Sequence, residues 1–193
     1  MPKIVTEEEK QQVRESIYIN TLALIQEKGI KKITVDDIVL AVGISKGSFY
    51  NYYPSREVAI YEILKRSERR LFSQMEEIMK SDLQDKDNLI RFFNDVFLSP
   101  ENMLWYVSSV DLDILLRKLP AEYRTREDLK SDDYFTRSLK LMKVSKKQME
   151  TVALLTDCIG LIIANTKFSE KGKRETLDII INATADYIVG RTK

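Results

Sequence analysis

Apolar side chains recur every three or four positions along most of this 193-residue chain, and that spacing predicts α-helices. Between residues 6 and 28 the stripe includes Val13, Ile17, Leu24 and Ile25, and Gly29 follows as a residue that can end a helix. Further stripes predict helices at 55–80, 88–98, 101–118, 127–142, 146–166 and 172–190. The pattern therefore predicts an all-α fold.

Two short helices are predicted between the first helix and the long one at 55–80. Segment 34–37 begins with threonine and ends with a carboxylate, the spacing of a capping box, so a second helix starts there and ends at Gly43. Ser45 offers another N-cap for a third helix at 46–52, which Pro54 prevents from extending. Two short helices joined by a tight glycine turn form a helix-turn-helix.

These elements predict two domains. Residues 1–54 form an N-terminal three-helix head with the helix-turn-helix, and residues 55–193 form a larger C-terminal helical bundle. The composition agrees, because 44% hydrophobic and 32% charged residues with only 6 Gly and 4 Pro suit long amphipathic helices. The apolar runs are far shorter than the roughly 20 residues that cross a bilayer, so no membrane partner is expected.

The residue counts argue against enzymatic chemistry. The chain has no histidine, the commonest general base and zinc ligand, and its single cysteine, Cys158, excludes an internal disulfide. We therefore predict no catalytic residues, no metal and no cofactor. The first residues lack an apolar leader segment, so a cytoplasmic location is expected.

The helix-turn-helix predicts contacts with duplex DNA, because the second helix of such a motif enters the major groove. Residues 28–56 carry five Lys or Arg side chains against two Asp, which favours this partner. Ser45 caps the recognition helix, and Gly47 lets its backbone approach DNA. Ser48 and Asn51 are the predicted base-reading residues. The predicted phosphate contacts are Thr34, Lys46, Tyr50, Tyr52 and Arg56.

The segment TVDDIVLAVGISKGSFYNYYPSR resembles the N-terminal signature of the TetR family of bacterial regulators, T-x-x-D/E-I-x-x-x-x-G-V/I-S-x-G-x-F/L-Y-x-Y/H-F-x-S/N-K. Tyr53 stands where the family usually has phenylalanine, and Arg56 where lysine is usual. The resemblance stops soon after Arg56. It implies a sequence-specific transcriptional regulator, most often a ligand-responsive repressor, that acts as a homodimer.

The resemblance also implies a pocket for a small-molecule effector in the larger domain. Aromatic residues there are consistent with a pocket lining and equally with an ordinary core. Asp157, a carboxylate in an apolar helix, would either recognise the effector or face water. The other candidate pocket residues are Phe92, Phe93, Phe97, Trp105, Tyr106 and Tyr123.

The last two predicted helices carry broad apolar stripes that need a partner. The resemblance implies that they pair with their copies in a second chain as a four-helix bundle. Burial of both stripes within one chain is the alternative. The predicted interface residues are Val152, Ile159, Ile163, Leu177, Ile181, Thr184 and Ile188.

The predicted mechanism places two recognition helices in successive major grooves, about 34–36 Å apart or a multiple of that distance. Effector binding would change the spacing of the two heads, with the helix at 55–80 carrying the motion. The alternative function is a helical ligand-binding or protein-interaction module without DNA binding.

Overall fold

The computed structural model describes residues 6–78, 80, 85–124, 139, 140, 142–165 and 167–190. Within those residues the chain is helical and has no strand, which confirms the all-α prediction. A π-helical turn, Phe93–Phe97, continues α5, and a 3-10 turn, Met103–Trp105, precedes α6. The helices are α1 Glu7–Lys28, α2 Val35–Val42, α3 Lys46–Tyr50, α4 Arg56–Ile78, α5 Lys86–Phe92, α6 Ser109–Lys118, α7 Ala121–Arg124, α8 Met149–Ala164 and α9 Glu170–Val189.

Local caps explain where α1 begins and ends. The Thr6 hydroxyl accepts the Glu9 amide at 3.1 Å, and the Glu9 carboxylate accepts the Thr6 amide at 2.9 Å, so the pair forms a capping box. At the other end the Gly29 amide donates to the Ile25 carbonyl at 2.9 Å. An N-cap of this kind contributes about 1 kcal/mol. The predicted bounds of α1 are therefore confirmed.

The first compact unit contains the described residues up to Ser67 together with 106–124. Residues from Val58 to Leu64 in α4 are mostly buried here, so the predicted boundary at Pro54 lies inside the unit. Within the unit, Arg66 of α4 pairs with Glu15 of α1, and its guanidinium carbon lies 4.1 Å from the Tyr18 ring centroid. The buried residues of α1 to α3 and their turns include Ile17, Tyr18, Leu22, Ile25, Ile30, Ile33, Ile38 and Phe49.

The second unit contains the described residues between 68 and 105 and those from 139 onward. In this unit α9 packs against α8 and α5, and α8 contacts the 3-10 turn. Polar contacts fix the packing: Lys86 Nζ lies 2.8 Å from an oxygen of Asp186, and the Gln148 amide donates to the Tyr187 carbonyl at 2.7 Å. The core of the unit includes Leu71, Met75, Leu89, Phe92, Phe93, Val96, Val152, Ile159, Leu177, Ile181 and Ile188.

Several predicted helix bounds differ from the structure by a few residues, and one predicted helix is interrupted. The predicted helix at 101–118 is interrupted, because the Ser108 hydroxyl accepts the Asp111 amide at 3.1 Å and starts α6 at Ser109. Asp85 caps α5, which begins two residues before the predicted start at 88. Most of the predicted helix at 127–142 lies outside the described residues.

Candidate nucleic-acid interface

The segment from Thr34 to Asn51 is a helix-turn-helix fixed by its own caps. Gly43 ends α2 in the left-handed conformation, with φ 75° and ψ 34°, which residues with a side chain rarely adopt. Two residues later the Ser45 hydroxyl accepts the Ser48 amide at 3.1 Å and starts α3. α3 ends at Tyr50, two residues earlier than the sequence predicts, and Asn51 is its C-cap.

Phe49 decides which side of α3 faces outward. Its side chain is fully buried, as are those of Ile33 and Ile38. The Tyr53 ring lies half-buried at 5.9 Å from the Phe49 ring centroid, and burial raises the pKa of its phenol. With Phe49 inward, most of the remaining α3 side chains face away from this core.

The outward side of α3 presents small and polar groups. Ser45, Lys46, Gly47 and Asn51 are exposed, and Ser48 is half-buried. Among the described residues, the Ser48 hydroxyl and the Asn51 side-chain amide have no hydrogen-bond partner. Both groups are therefore available to a ligand.

Two tyrosines extend this surface. The Tyr50 ring stands edge-on to Phe49, with ring centroids 5.4 Å apart and planes at 81°, yet Tyr50 remains 52% exposed. Tyr52 is half-buried, and the guanidinium carbon of Arg14 lies 5.7 Å from its ring centroid. Phe49 thus supports the Tyr50 ring while about half of Tyr50 remains accessible.

Gly47 faces open space. A Cβ added there would meet only the Ser45 hydroxyl oxygen, at 3.8 Å, an ordinary contact distance. Packing within the chain therefore does not require glycine at this position. The absence of a side chain leaves the α3 backbone accessible to a bound molecule.

Lys46 is paired with an acidic neighbour on α2. Its ammonium lies 2.8 Å from an Asp36 carboxylate oxygen, and the two side chains are 56% and 70% exposed. The hydrogen bond to Asp36 raises the pKa of Lys46. The pair also shows that the N-terminal turns of α2 and α3 lie side by side.

Thr34 and Asp37 form a capping box at the start of α2. The Thr34 hydroxyl accepts the Asp37 amide at 3.1 Å and donates to an Asp37 carboxylate oxygen at 2.8 Å. Lys28 donates to the other oxygen of the carboxylate at 2.9 Å. The hydrogen bond from Lys28, followed by those from Thr34, lowers the pKa of Asp37 from 3.8 to about 2.

Arg56 has a role within the chain besides the predicted phosphate contact. Its guanidinium donates to the carbonyls of Ile33 and Ile30 and, at 2.8 Å, to the Glu57 carboxylate. These carbonyls belong to the turn between α1 and α2, so the side chain fastens that turn to the start of α4. The guanidinium is thus engaged within the chain, and its contact with a phosphate stays a prediction.

The sequence comparisons agree with this geometry. The family model for bacterial regulatory proteins of the TetR family matches residues 17–58, which span most of α1, the helix-turn-helix and the start of α4. Residues 17–58 form a TetR-family domain. The sequence resemblance is thereby confirmed for this part of the chain. We call residues 17–58 the TetR-type head.

Curated relatives match over the same end of the molecule. The nucleoid occlusion factor SlmA of Haemophilus ducreyi is 36% identical over 73 residues, which is 38% of this chain and 35% of that protein. The transcriptional repressor KstR2 of Rhodococcus jostii is 38% identical over 66 residues, 34% of this chain and 32% of that protein. The transcriptional regulator EthR of Mycolicibacterium smegmatis is 29% identical over 76 residues, 39% of this chain and 35% of that protein.

The chain thus spans about a third of the length of the curated relatives it matches. Two of the three names describe transcriptional regulators and the third a nucleoid occlusion factor; none describes an enzyme. The matched region therefore points to a regulatory protein, and what the whole chain does is a matter of proposal.

Two charged residues beside the TetR-type head's surface are absent from the sequence-predicted contacts. Arg14 lies against Tyr52, and Asp36 holds Lys46. The sequence could have indicated the position of Asp36, because this residue follows the Thr34 cap by two positions and so lies in the first turn of α2. Arg14 carries no such signal, because only the packing of α1 brings it to Tyr52.

The candidate effector residues belong to both compact units. Phe92, Phe93 and Phe97 are buried core residues whose ring centroids lie 5.1 to 6.1 Å apart. Trp105 is half-buried, and its indole donates to the Phe97 carbonyl at 2.7 Å.

The remaining candidates lie elsewhere. Tyr106 and Tyr123 belong to the first unit, where Tyr123 stands edge-on to Tyr61 at 5.7 Å. Asp157 is exposed on α8, which is the water-facing alternative that the sequence left open.

The predicted interface residues of α8 and α9 face their own core. Of the seven, Ile163 is partly buried and the other six are buried within one chain: Val152, Ile159, Leu177, Ile181, Thr184 and Ile188. The structure therefore corrects their assignment to an interface. The exposed apolar side chains of these helices lie on other faces, at Leu154 and Leu161 of α8 and Ile179 of α9.

Metal-binding clusters and membrane-spanning helices are absent from the described part of the chain. It holds no cluster of three or more Cys, Asp or Glu side chains able to bind a metal ion. Its helices include none long and apolar enough to cross a membrane.

Proposed function

We propose that this chain is a cytoplasmic, sequence-specific DNA-binding transcriptional regulator that acts as a homodimer on duplex DNA. The observation that carries the proposal is the outward side of α3, where polar side chains and the bare backbone of Gly47 surround a helix anchored by Phe49. Small hydrogen-bonding groups on a short, rigid helix suit the major groove. The match of the TetR-type head to regulatory proteins supports the same function.

The groups of the head divide into two roles. Ser48 and Asn51 offer a hydroxyl and an amide, which can read base edges, with asparagine suited to adenine. Lys46, Tyr50 and Tyr52 supply a cation and hydroxyls for phosphate oxygens. The Thr34 hydroxyl is engaged by Asp37, so we assign its phosphate contact to the backbone amides of the first turn of α2.

The homodimer part of the proposal rests on α8 and α9. Leu154, Cys158 and Leu161 occupy positions i, i+4 and i+7 of α8 and are all exposed, while the buried side of the same helix packs on the core. The exposed Asp157 lies on the same side, three residues after Leu154 and four before Leu161, so the stripe is an apolar patch that includes one carboxylate. A second copy of the chain, related by a two-fold axis, would cover this stripe together with Ile179 of α9.

Repression and a small-molecule effector complete the proposal. The name of KstR2 as a repressor and the TetR-type head favour a repressor that responds to a ligand. Because Phe92, Phe93 and Phe97 pack closely, the half-buried Trp105 is the aromatic side chain in the second unit that we expect to contact an effector.

A binding assay with tyrosine variants tests the function. Protein is titrated against DNA fragments that flank its own gene and against fragments of the source genome, with a mobility shift as the readout. Tyr50→Phe removes only the hydroxyl, and a hydrogen bond to a charged group is worth about 1.5–3 kcal/mol, so affinity falls roughly ten- to a hundredfold. Tyr50→Ala also removes the ring and weakens binding further.

Ile19→Ala is the control, because Ile19 is 57% exposed on α1, outside the helix-turn-helix. It leaves the shift unchanged if the interface is on α2 and α3. Absence of a shift with every fragment, for a folded wild-type protein, contradicts DNA binding and favours a ligand-binding or protein-interaction module.

A further inference from the structure

Asp36 places a negative charge on the surface proposed to meet DNA. It lies in the first turn of α2, directly beside the start of α3, and its side chain is 70% exposed. Among the described residues its only partner is the Lys46 ammonium, at 2.8 Å. A carboxylate at this point opposes the approach of a phosphate backbone.

Folding requires little of this pair beyond the favourable position of Asp36 in the first turn of α2. Asp37, the next residue, already caps α2 and binds Lys28, so Asp36 is not needed for the capping box. An ion pair between two largely exposed side chains adds little to stability. The pair therefore has its main effect on what the surface binds.

The charge of Lys46 matters most for binding without sequence preference. Such binding comes from lysine and arginine side chains that displace counterions from phosphates. While Lys46 is held by Asp36, its charge is balanced, and a duplex that takes Lys46 must first break the pair. The Ser48 and Asn51 contacts can offset that cost only on a duplex with matching base edges.

We propose that Asp36 is a specificity-determining residue, which restrains Lys46 and so suppresses binding to duplexes that lack the preferred sequence. This inference rests on the proposed function of the head. On a preferred duplex Lys46 transfers from Asp36 to a phosphate oxygen as the base contacts form. On any other duplex the ion pair persists, and Lys46 contributes little to the binding free energy.

The experiment compares Asp36→Asn with Glu7→Gln in the full chain. Glu7 also forms an exposed ion pair, with Lys10, so its variant changes the net charge equally and breaks a similar contact on α1. The two probes are a labelled alternating poly(dA-dT) duplex and a duplex that the wild-type protein selects from a random library. Anisotropy titrations are repeated over a range of salt concentrations.

Asp36→Asn is expected to bind the poly(dA-dT) duplex about three- to tenfold more tightly, with a salt slope steeper by about 0.9, the value for one added phosphate contact. Its affinity for the selected duplex rises less, so the ratio of specific to non-specific affinity falls. Glu7→Gln keeps the wild-type ratio. Adding Lys46→Ala to Asp36→Asn removes most of the gain.

Three results would overturn the inference. Asp36→Asn could behave as Glu7→Gln does; it could lose affinity for the selected duplex alone, which would make Asp36 a base-reading residue; or its full gain could persist without Lys46. Asp36→Ser provides a second variant suited to a helix N-terminus, in case Asp36→Asn unfolds at a lower temperature than the wild-type protein. If the wild-type protein binds neither duplex, the proposed function itself fails, and that outcome is distinct from all three.

Discussion

Gly47 and Phe49 lie on opposite sides of α3. The buried Phe49 anchors the helix, and the bare backbone at Gly47 would allow DNA to approach closely. Phe49 is fully buried and holds the helix on the head, whereas Gly47 faces open space. Nothing inside the chain is gained from a glycine at position 47, and glycine lowers helix stability by about 0.5–1 kcal/mol relative to alanine. Under the proposed function, the benefit of Gly47 lies in the complex with DNA.

Gly47→Ala is therefore expected to raise the stability of the protein and to lower its affinity for DNA. The added methyl group meets nothing closer than 3.8 Å, so the protein becomes slightly more stable in thermal unfolding. The same methyl group holds the backbone off the groove and weakens binding by more than about tenfold, or 1.4 kcal/mol. Unchanged DNA affinity in a stabilised variant would place the contact surface away from α3.

The ionisation of Asp37, at the start of α2, makes the stability of the fold depend on pH. Its pKa is lowered to about 2 by Lys28 and Thr34, below the unfolded value of about 3.9. The carboxylate therefore stabilises the fold above about pH 4, and the contribution is lost as the pH falls toward about 2.

In urea unfolding followed by circular dichroism, Asp37→Asn should be less stable than wild type near neutral pH. The difference should shrink between about pH 4 and pH 2. Asp113→Asn, at an exposed position of α6, is the control and should follow the wild-type curve. A deficit for Asp37→Asn that stays constant with pH would contradict the assigned cause.

Arg56 shows what a local sequence pattern does not reveal about a residue. Thr34, Ser45 and Gly43 act within three or four residues of themselves, so their caps could be predicted from spacing and are observed. Arg56 instead donates to carbonyls more than twenty positions earlier in the chain. No spacing rule connects those positions, so the sequence pattern could not reveal these bonds.

At the level of elements, the starts of α1, α2 and α3 were predictable because each has a side-chain cap of its own. The region 101–118 was predicted as one helix because its apolar spacing continues across the break. Asn102 and Trp105 both donate to the Phe97 carbonyl, and these non-local bonds hold the chain in a turn before Ser108 starts α6. Hydrogen bonds of this kind leave no periodic trace in the sequence.

The contact between α8 and the 3-10 turn depends on Gly160. A Cβ there would lie 2.5 Å from two carbons of the Trp105 ring, so Gly160→Ala must displace the indole from its bond to Phe97. Overpacking of this kind costs about 1–3 kcal/mol.

Urea unfolding measures that loss, and the emission of the chain's one tryptophan reports the movement of the ring. Gly172→Ala in α9 is the matched control, because its Cβ would meet only the Ser169 hydroxyl oxygen at 3.4 Å. Equal stability and an unshifted emission spectrum in Gly160→Ala would show that the ring does not pack on α8 as described.

For the whole molecule, the sequence predicted stripes of apolar side chains on α8 and α9. It did not predict which side of each helix faces the chain's own core. Apolar residues occur on both sides of α8, so periodicity does not distinguish Ile159, which is buried, from Leu161, which is 73% exposed. Only the packing of α8 against α9 and the 3-10 turn separates the two. The proposed interface therefore moves to the exposed side.

Leu161→Glu is expected to yield monomers in analytical ultracentrifugation, because a symmetric interface would bury two uncompensated carboxylates at a cost of several kcal/mol. Ile19→Glu, a similar change on α1, should leave the mass of the wild-type dimer unchanged. Cys158 supplies an independent readout, since a bifunctional maleimide should join two wild-type chains through this single thiol. A dimer that survives Leu161→Glu would place the interface elsewhere.

The central claim, that two copies of α3 occupy the major groove of a preferred duplex, is tested most directly by dimethyl sulfate protection. Duplexes selected by the wild-type protein from a random library are methylated with and without bound protein. Guanine N7 lies in the major groove, so the account predicts two protected clusters within an inverted repeat, centred about 34–36 Å apart or a multiple of that distance. Selection without an enriched sequence, or protection confined to adenine N3 in the minor groove, would contradict it.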